Sequence, residues 1–204
     1  MASHGHQGLE QRIRTALHQS IQVKQTFLEG PLDSIAGVVA AVEQAFRTGH
    51  KVLLFGNGGS AADAQHLAAE FVNRFFKRRP PLAALALTTD TSVLTSIGND
   101  DSFDEIFARQ IRALGAPGDI AWGITTSGRS PNVVRGLQEA RSMGLVTVGM
   151  TGGSGEEMGG VVHHRIHVKH SAVPRVQEMH ITIGHIICEL VEEILFPDPS
   201  EASG

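Results

Sequence analysis

Apolar positions along the chain change their spacing several times. Leu9, Ile13, Leu17, Ile21 and Val23 recur mostly three or four apart, which predicts an amphipathic helix from about Leu9 to Leu28. Pro31 suits the first turn of a second helix, over roughly Leu32 to Arg47. Met1 to Gln7 read as a loose tail that carries His4 and His6 outside any site. At Lys51–Phe55 the helical spacing gives way to a short continuous apolar run. It ends in Gly56-Asn57-Gly58-Gly59-Ser60, as a buried strand ends in a tight turn. A Pro-free, Ala-rich helix follows, from about Ala61 to Arg74.

The strand–turn–helix unit then recurs. Leu82–Leu87 is a second apolar run, followed by helical stretches around Val93–Ile97 and Phe103–Leu114. Asp119–Ile124 is a third, closed by Thr125-Thr126-Ser127-Gly128-Arg129-Ser130 and a helix opening at Pro131. Leu145–Met150 is a fourth strand, and Val162–Val168 a fifth before a long helix over about Pro174–Leu195. Strands alternating with helices predict an α/β fold, doubly wound, with a mainly parallel five-stranded sheet flanked by helices. The expected organisation is one domain over 1–204, with N-terminal helices (8–48) added to an α/β core (51–196) and a frayed end at 197–204.

Composition narrows the function. Seventeen Lys and Arg against 21 Asp and Glu leave a net charge of −4, without the basic surface that coating a nucleic acid needs. Aromatics are only 5% and Tyr is absent, so stacking on bases or sugars does not dominate binding. Cys188 is the sole cysteine, which excludes an intrachain disulfide and a multi-cysteine metal knuckle. No signal-like N-terminal stretch and no apolar run of about 20 residues predict a cytoplasmic protein with no membrane partner. The 23 glycines point instead to turns.

Ligands of open α/β sheets bind outside the carboxyl ends of the strands. There this chain places Gly56–Ser60 and Thr125–Ser130, whose hydroxyls and N–H groups can wrap an anion at a helix start. Neither has the Walker or the dinucleotide spacing. One such loop alone reads as a tight turn; two at corresponding positions favour a phosphorylated ligand. The next helix carries Asp63, His66 and Glu70. His66 and Glu70, four apart, share one face and either hold a divalent metal or form an ordinary surface pair. The last helix offers Arg175, Gln177, Glu178, His180 and His185. Gln177 and His185 are eight residues apart, roughly 12 Å along an ideal helix, so they meet one ion only if their side chains lean together, the helix end is irregular or another subunit contributes one. His180 reads as a structural histidine, and the histidines of Val162–His170 as an exposed strand face. Asp90 and the run Ile97-Gly98-Asn99-Asp100-Asp101 could bind sugar hydroxyls or simply form turns.

Read together, Gly56–His66 with Glu70, Ile97–Asp100, Thr126–Ser130 and Arg175–His180 with His185 resemble the phosphoheptose isomerase family. That family is a branch of the sugar isomerase (SIS) domain proteins, and the resemblance spans nearly the whole chain. It implies a homotetramer in the cytoplasm that converts sedoheptulose 7-phosphate to D-glycero-D-manno-heptose 7-phosphate, the first step towards activated heptose. It implies one zinc ion per subunit on His66, Glu70, Gln177 and His185, with Glu70 and His185 as acid–base pair. The implied substrate contacts are Asn57, Gly58, Gly59, Ser60, Glu70, Asn99, Asp100, Thr125, Thr126, Ser127, Ser130 and Gln177. Thr125 stands where relatives often have Ser and keeps the hydroxyl. A zinc-bound carboxylate or imidazole is a poorer free base, so ligand and catalytic roles compete for Glu70 and His185. Similar relatives bind the bacterial replication initiator DnaA, and this chain's Asn73–Phe75, Gln177–His180 and Leu195–Pro197 are like theirs. Those relatives lack the counterparts of Glu70 and His185, which favours the enzyme here. A non-catalytic SIS module that senses a sugar phosphate would leave both residues without a purpose.

Overall fold

The computed structural model describes residues 2–153, 155 and 158–198, with residues 2–7 as backbone only. Two helices, α1 (Ala2–Leu28) and α2 (Asp33–Arg47), precede β1 (Val52–Gly56) and α3 (Gly59–Val72). Then come β2 (Ala84–Ala86), α4 (Thr91–Asp100), a one-turn 3-10 helix (Phe103–Glu105) and α5 (Ile106–Leu114). The chain continues through β3 (Ile120–Thr125), α6 (Pro131–Ser142), β4 (Val146–Thr151), β5 (His164–His167) and α7 (Val173–Leu195). The strands are parallel, in the order β2-β1-β3-β4-β5.

Every residue of β1 and β3 is buried, because helices cover both faces of the sheet. Alternation divides the core: Leu54, Trp122 and Ile124 pack with α2, α3 and α7 on one face. Leu53, Phe55 and Ala121 meet α5 and α6 on the other. From β1 the chain steps to β2 on one side and β3 on the other, which makes the β1/β3 boundary the switch point where such sheets bind ligands.

Two expectations change, and the N-terminal helices, expected to be added for oligomer contacts, present an outward apolar face. The tail expected over 1–7 is helical from Ala2, since nothing between Ala2 and Leu28 is a proline and α1 extends through it. The stripe that predicts α1 faces outward: Leu9, Ile13, Leu17 and Ile21 are each at least half exposed, and only Val23 is buried. One chain has nothing to lay over them. Asn99 and Asp100 sit in the last turn of α4 rather than in a loop; the helix starts at Asp90, which caps it by accepting the Val93 N–H (3.0 Å). Pro197 and Asp198 lie outside regular structure, and 199–204 fall outside the described residues.

Candidate active site

The switch point is built from two short loops. After β1 the chain reverses into α3 through Gly58, whose φ of +55° is one that glycine adopts without strain. After β3, the Thr125 hydroxyl lies 2.9 Å from that of Ser130 and 3.3 Å from that of Ser127, and Ser127 Oγ accepts the Arg129 N–H at 3.1 Å. Three hydroxyls thus gather at the start of α6, a donor set that suits a phosphate. The loops are braced to each other by a pair of side-chain amides. Asn57 donates to Asn132 (2.8 Å) and Asn132 returns a bond of 2.9 Å. Asn132 is buried and also accepts the Val133 N–H. Nothing in the sequence distinguished it; a polar residue at the second position of a helix has many uses.

From this end α3 and α7 run side by side in the same direction. A Cβ on Gly59 would lie 2.2 Å from the Gln177 amide nitrogen, and one on Gly184 would lie 2.6 Å from Leu67. Close approach at Gly184 brings the helices together where His66 and His185 face each other. Their Nε2 atoms are 2.8 Å apart, and His66 Nε2 is 3.3 Å from Glu70 Oε1. Donor atoms of His66, Glu70 and His185 all lie within 4.8 Å of one another. Two imidazole nitrogens and a carboxylate oxygen this close together are a donor set that could hold a divalent metal ion. Burial and the nearby His66 push His185 below the ordinary imidazole range, with Glu70 pulling it back, so the ring is neutral at pH 7. The Phe75 ring packs against it, with centroids 5.6 Å apart.

The remaining expected residues are distributed unevenly. In the single chain Gln177 sits with the first loop, at the opposite end of α3 from Glu70, as its spacing from His185 requires. Asn99 donates to Asp100 on the exposed surface of α4. Asp63 is half-buried, and burial pushes its carboxyl up to about 6, while His66 pulls it down. His180 is buried as read, yet only one nitrogen is satisfied: Nε2 meets the Thr151 carbonyl (3.2 Å) and Nδ1 has no partner. Three of the four histidines around β5 brace the backbone. His163 meets Thr147, His167 the Gly153 carbonyl, and His170 the Ala172 N–H. Arg175 binds the Ala16 carbonyl and Glu178, holding α1 onto α7.

A doubly wound sheet with such loops at its switch point defines a sugar isomerase domain, and residues 17–152 match the SIS domain family. The phosphoheptose isomerase of Aquifex aeolicus is 50% identical over 185 residues, covering 91% of this chain and 97% of the relative. That of Nitratidesulfovibrio vulgaris is 52% identical over 178 residues, covering 87% and 86%. The solved phosphoheptose isomerase of Neisseria gonorrhoeae superposes with a TM-score of 0.86 at 37% identity, covering 91% of this chain and 99% of that one. The chain belongs to the phosphoheptose isomerase family.

Proposed function

We infer that this protein is an aldose–ketose isomerase that converts sedoheptulose 7-phosphate to D-glycero-D-manno-heptose 7-phosphate. The observation that carries the reading is the meeting of His66, Glu70 and His185 on two parallel helices that begin beside the hydroxyl-rich loops. The hydroxyls of Thr125, Ser127 and Ser130 receive the 7-phosphate, with Asn57, Gly58, Gly59, Ser60 and Thr126 around it. That end anchors the sugar so that C1 and C2 reach the far side of the site. Asn99, Asp100 and Gln177 contact its hydroxyls.

The reaction moves one proton between adjacent carbons. Glu70 takes the proton from C1, giving an enediolate, and the C1 hydroxyl proton passes to the C2 oxygen. His185 delivers a proton to C2 as C1 becomes the aldehyde, and the proton held by Glu70 then returns to His185, so both residues are restored. In this reading His66, Glu70 and His185 would hold a zinc ion, and Gln177, at the other end of α3 in the single chain, would join them only from a second subunit. Such an ion polarises a carbonyl and stabilises neighbouring oxygen charge. No helix among the described residues is long and apolar enough to cross a membrane, and in this reading the protein works on a water-soluble sugar phosphate in the cytoplasm. The outward apolar stripe of α1 supports assembly, as a homotetramer.

Incubation with sedoheptulose 7-phosphate, followed by proton NMR, tests the reaction. An aldoheptose 7-phosphate should form, disappear with a chelator and return with zinc. Glu70→Gln should lower turnover at least about a hundredfold while leaving the fold intact. No product from the folded, zinc-supplied protein would return the choice to an initiator-binding or sugar-phosphate-sensing module.

A further inference from the structure

Two turns beyond His185, α7 carries a second acid on nearly the same face. Glu192 is 2% exposed and its ion-pair partner, Arg79, is 1% exposed. The carboxylate accepts the backbone N–H groups of Phe75 (2.9 Å), Phe76 (2.7 Å) and Lys77 (2.7 Å), and the Arg79 Nε–H (2.8 Å). Burial pushes the acid up, but these donors outweigh it and hold Glu192 below the usual carboxylate range. The terminal nitrogens of Arg79 donate to the carbonyls of Glu70 (2.8 Å), Phe71 (2.8 Å) and Pro80 (3.0 Å).

The two ends of this pair reach the two halves of the acid–base site. The Glu70 and Phe71 carbonyls lie in the last turn of α3, where the helix supplies no partners and a cation is favoured. Arg79 fixes that turn, and with it the backbone from which the Glu70 side chain departs. Glu192 fixes the backbone of Phe75, whose ring packs on His185. A buried ion pair adds little net stability compared with apolar packing, while its directional bonds favour one arrangement of the segments they join.

We propose that Arg79 and Glu192 form a positioning pair that sets Glu70 against His185 for proton transfer. This rests on the reading of those two residues as the acid–base pair. Neither member touches the substrate. The phosphate loops lie at the other end of α3, so loss of the pair should lower kcat and leave KM nearly unchanged.

The test uses the full chain with zinc, measuring kcat, KM and thermal midpoint for Glu192→Gln, Arg79→Lys and Ile111→Ala. Glu192→Gln is expected to lose about tenfold or more in kcat, with KM within about twofold. Arg79→Lys keeps the charge but lacks the planar fork that spans the two carbonyls, and should show the same split at a smaller cost in midpoint. It carries the test if Glu192→Gln does not fold. Ile111→Ala removes buried side chain from the opposite face of the sheet and should lower the midpoint with kcat retained. Wild-type kcat in the folded pair variants would overturn the proposal, as would a kcat loss in Ile111→Ala that follows its midpoint in the same way. An active Glu70→Gln protein would instead remove the underlying acid–base reading.

Discussion

His180 shows what one buried side chain does to the pH response of the fold. Burial holds its pKa at about 4, below its usual 6.5, although the Thr151 carbonyl pulls it up. The unfolded chain therefore binds this proton first, and the stability the neutral ring contributes is present above pH 6.5. As pH falls from 6.5 through 4, up to about 3 kcal/mol is lost. His163, His164 and His185 are also lowered by burial and act in the same sense. Urea unfolding between pH 7.5 and 4.5 should show His180→Gln with a shallower decline than wild type. Parallel declines would mean that another group carries the slope. The sequence read this residue as structural and its burial agrees, whereas the unpartnered Nδ1 was not legible, since it depends on what distant segments pack against α7.

At the scale of elements, the site depends on how closely α3 and α7 approach. Leu67 occupies the space beside Gly184, so a methyl group there meets Leu67 Cδ2 at 2.6 Å. Gly184→Ala should cost about 1–3 kcal/mol and separate His66 from His185. The expected signature is a lower thermal midpoint together with a several-fold lower kcat, from melting curves and initial rates on the same preparation. An unchanged midpoint would show that Leu67 swings aside without moving either helix. The elements themselves were readable within a few residues, because period and turn chemistry are near-neighbour properties. Their partnership came only with the family resemblance, not from spacing. The i,i+4 pair His66–Glu70 is local, whereas His185 arrives from 119 residues away.

For the whole molecule, the outward stripe of α1 decides the prediction. Leu9, Ile13, Leu17 and Ile21 keep helical spacing and stay at least half exposed among the described residues, and removing such side chains from water drives association. If the proposed homotetramer forms, wild type should scatter as four chains and Leu17→Glu as fewer, with the secondary structure retained. A wild-type mass of one chain at micromolar concentration would overturn that proposal.

The sequence by itself determined the βα alternation, the parallel sheet, the two loops at strand ends and the candidacy of His66, Glu70 and His185. All of these follow from spacing and residue type along a short stretch of chain. Tertiary structure decided the rest. It turned the β5 histidines into backbone braces, left the α1 stripe facing out and placed Gln177 beside Gly59. It also buried Arg79 against Glu192 behind the site. These outcomes depend on which helix faces meet across the sheet, and packing and desolvation settle that only when distant segments come together.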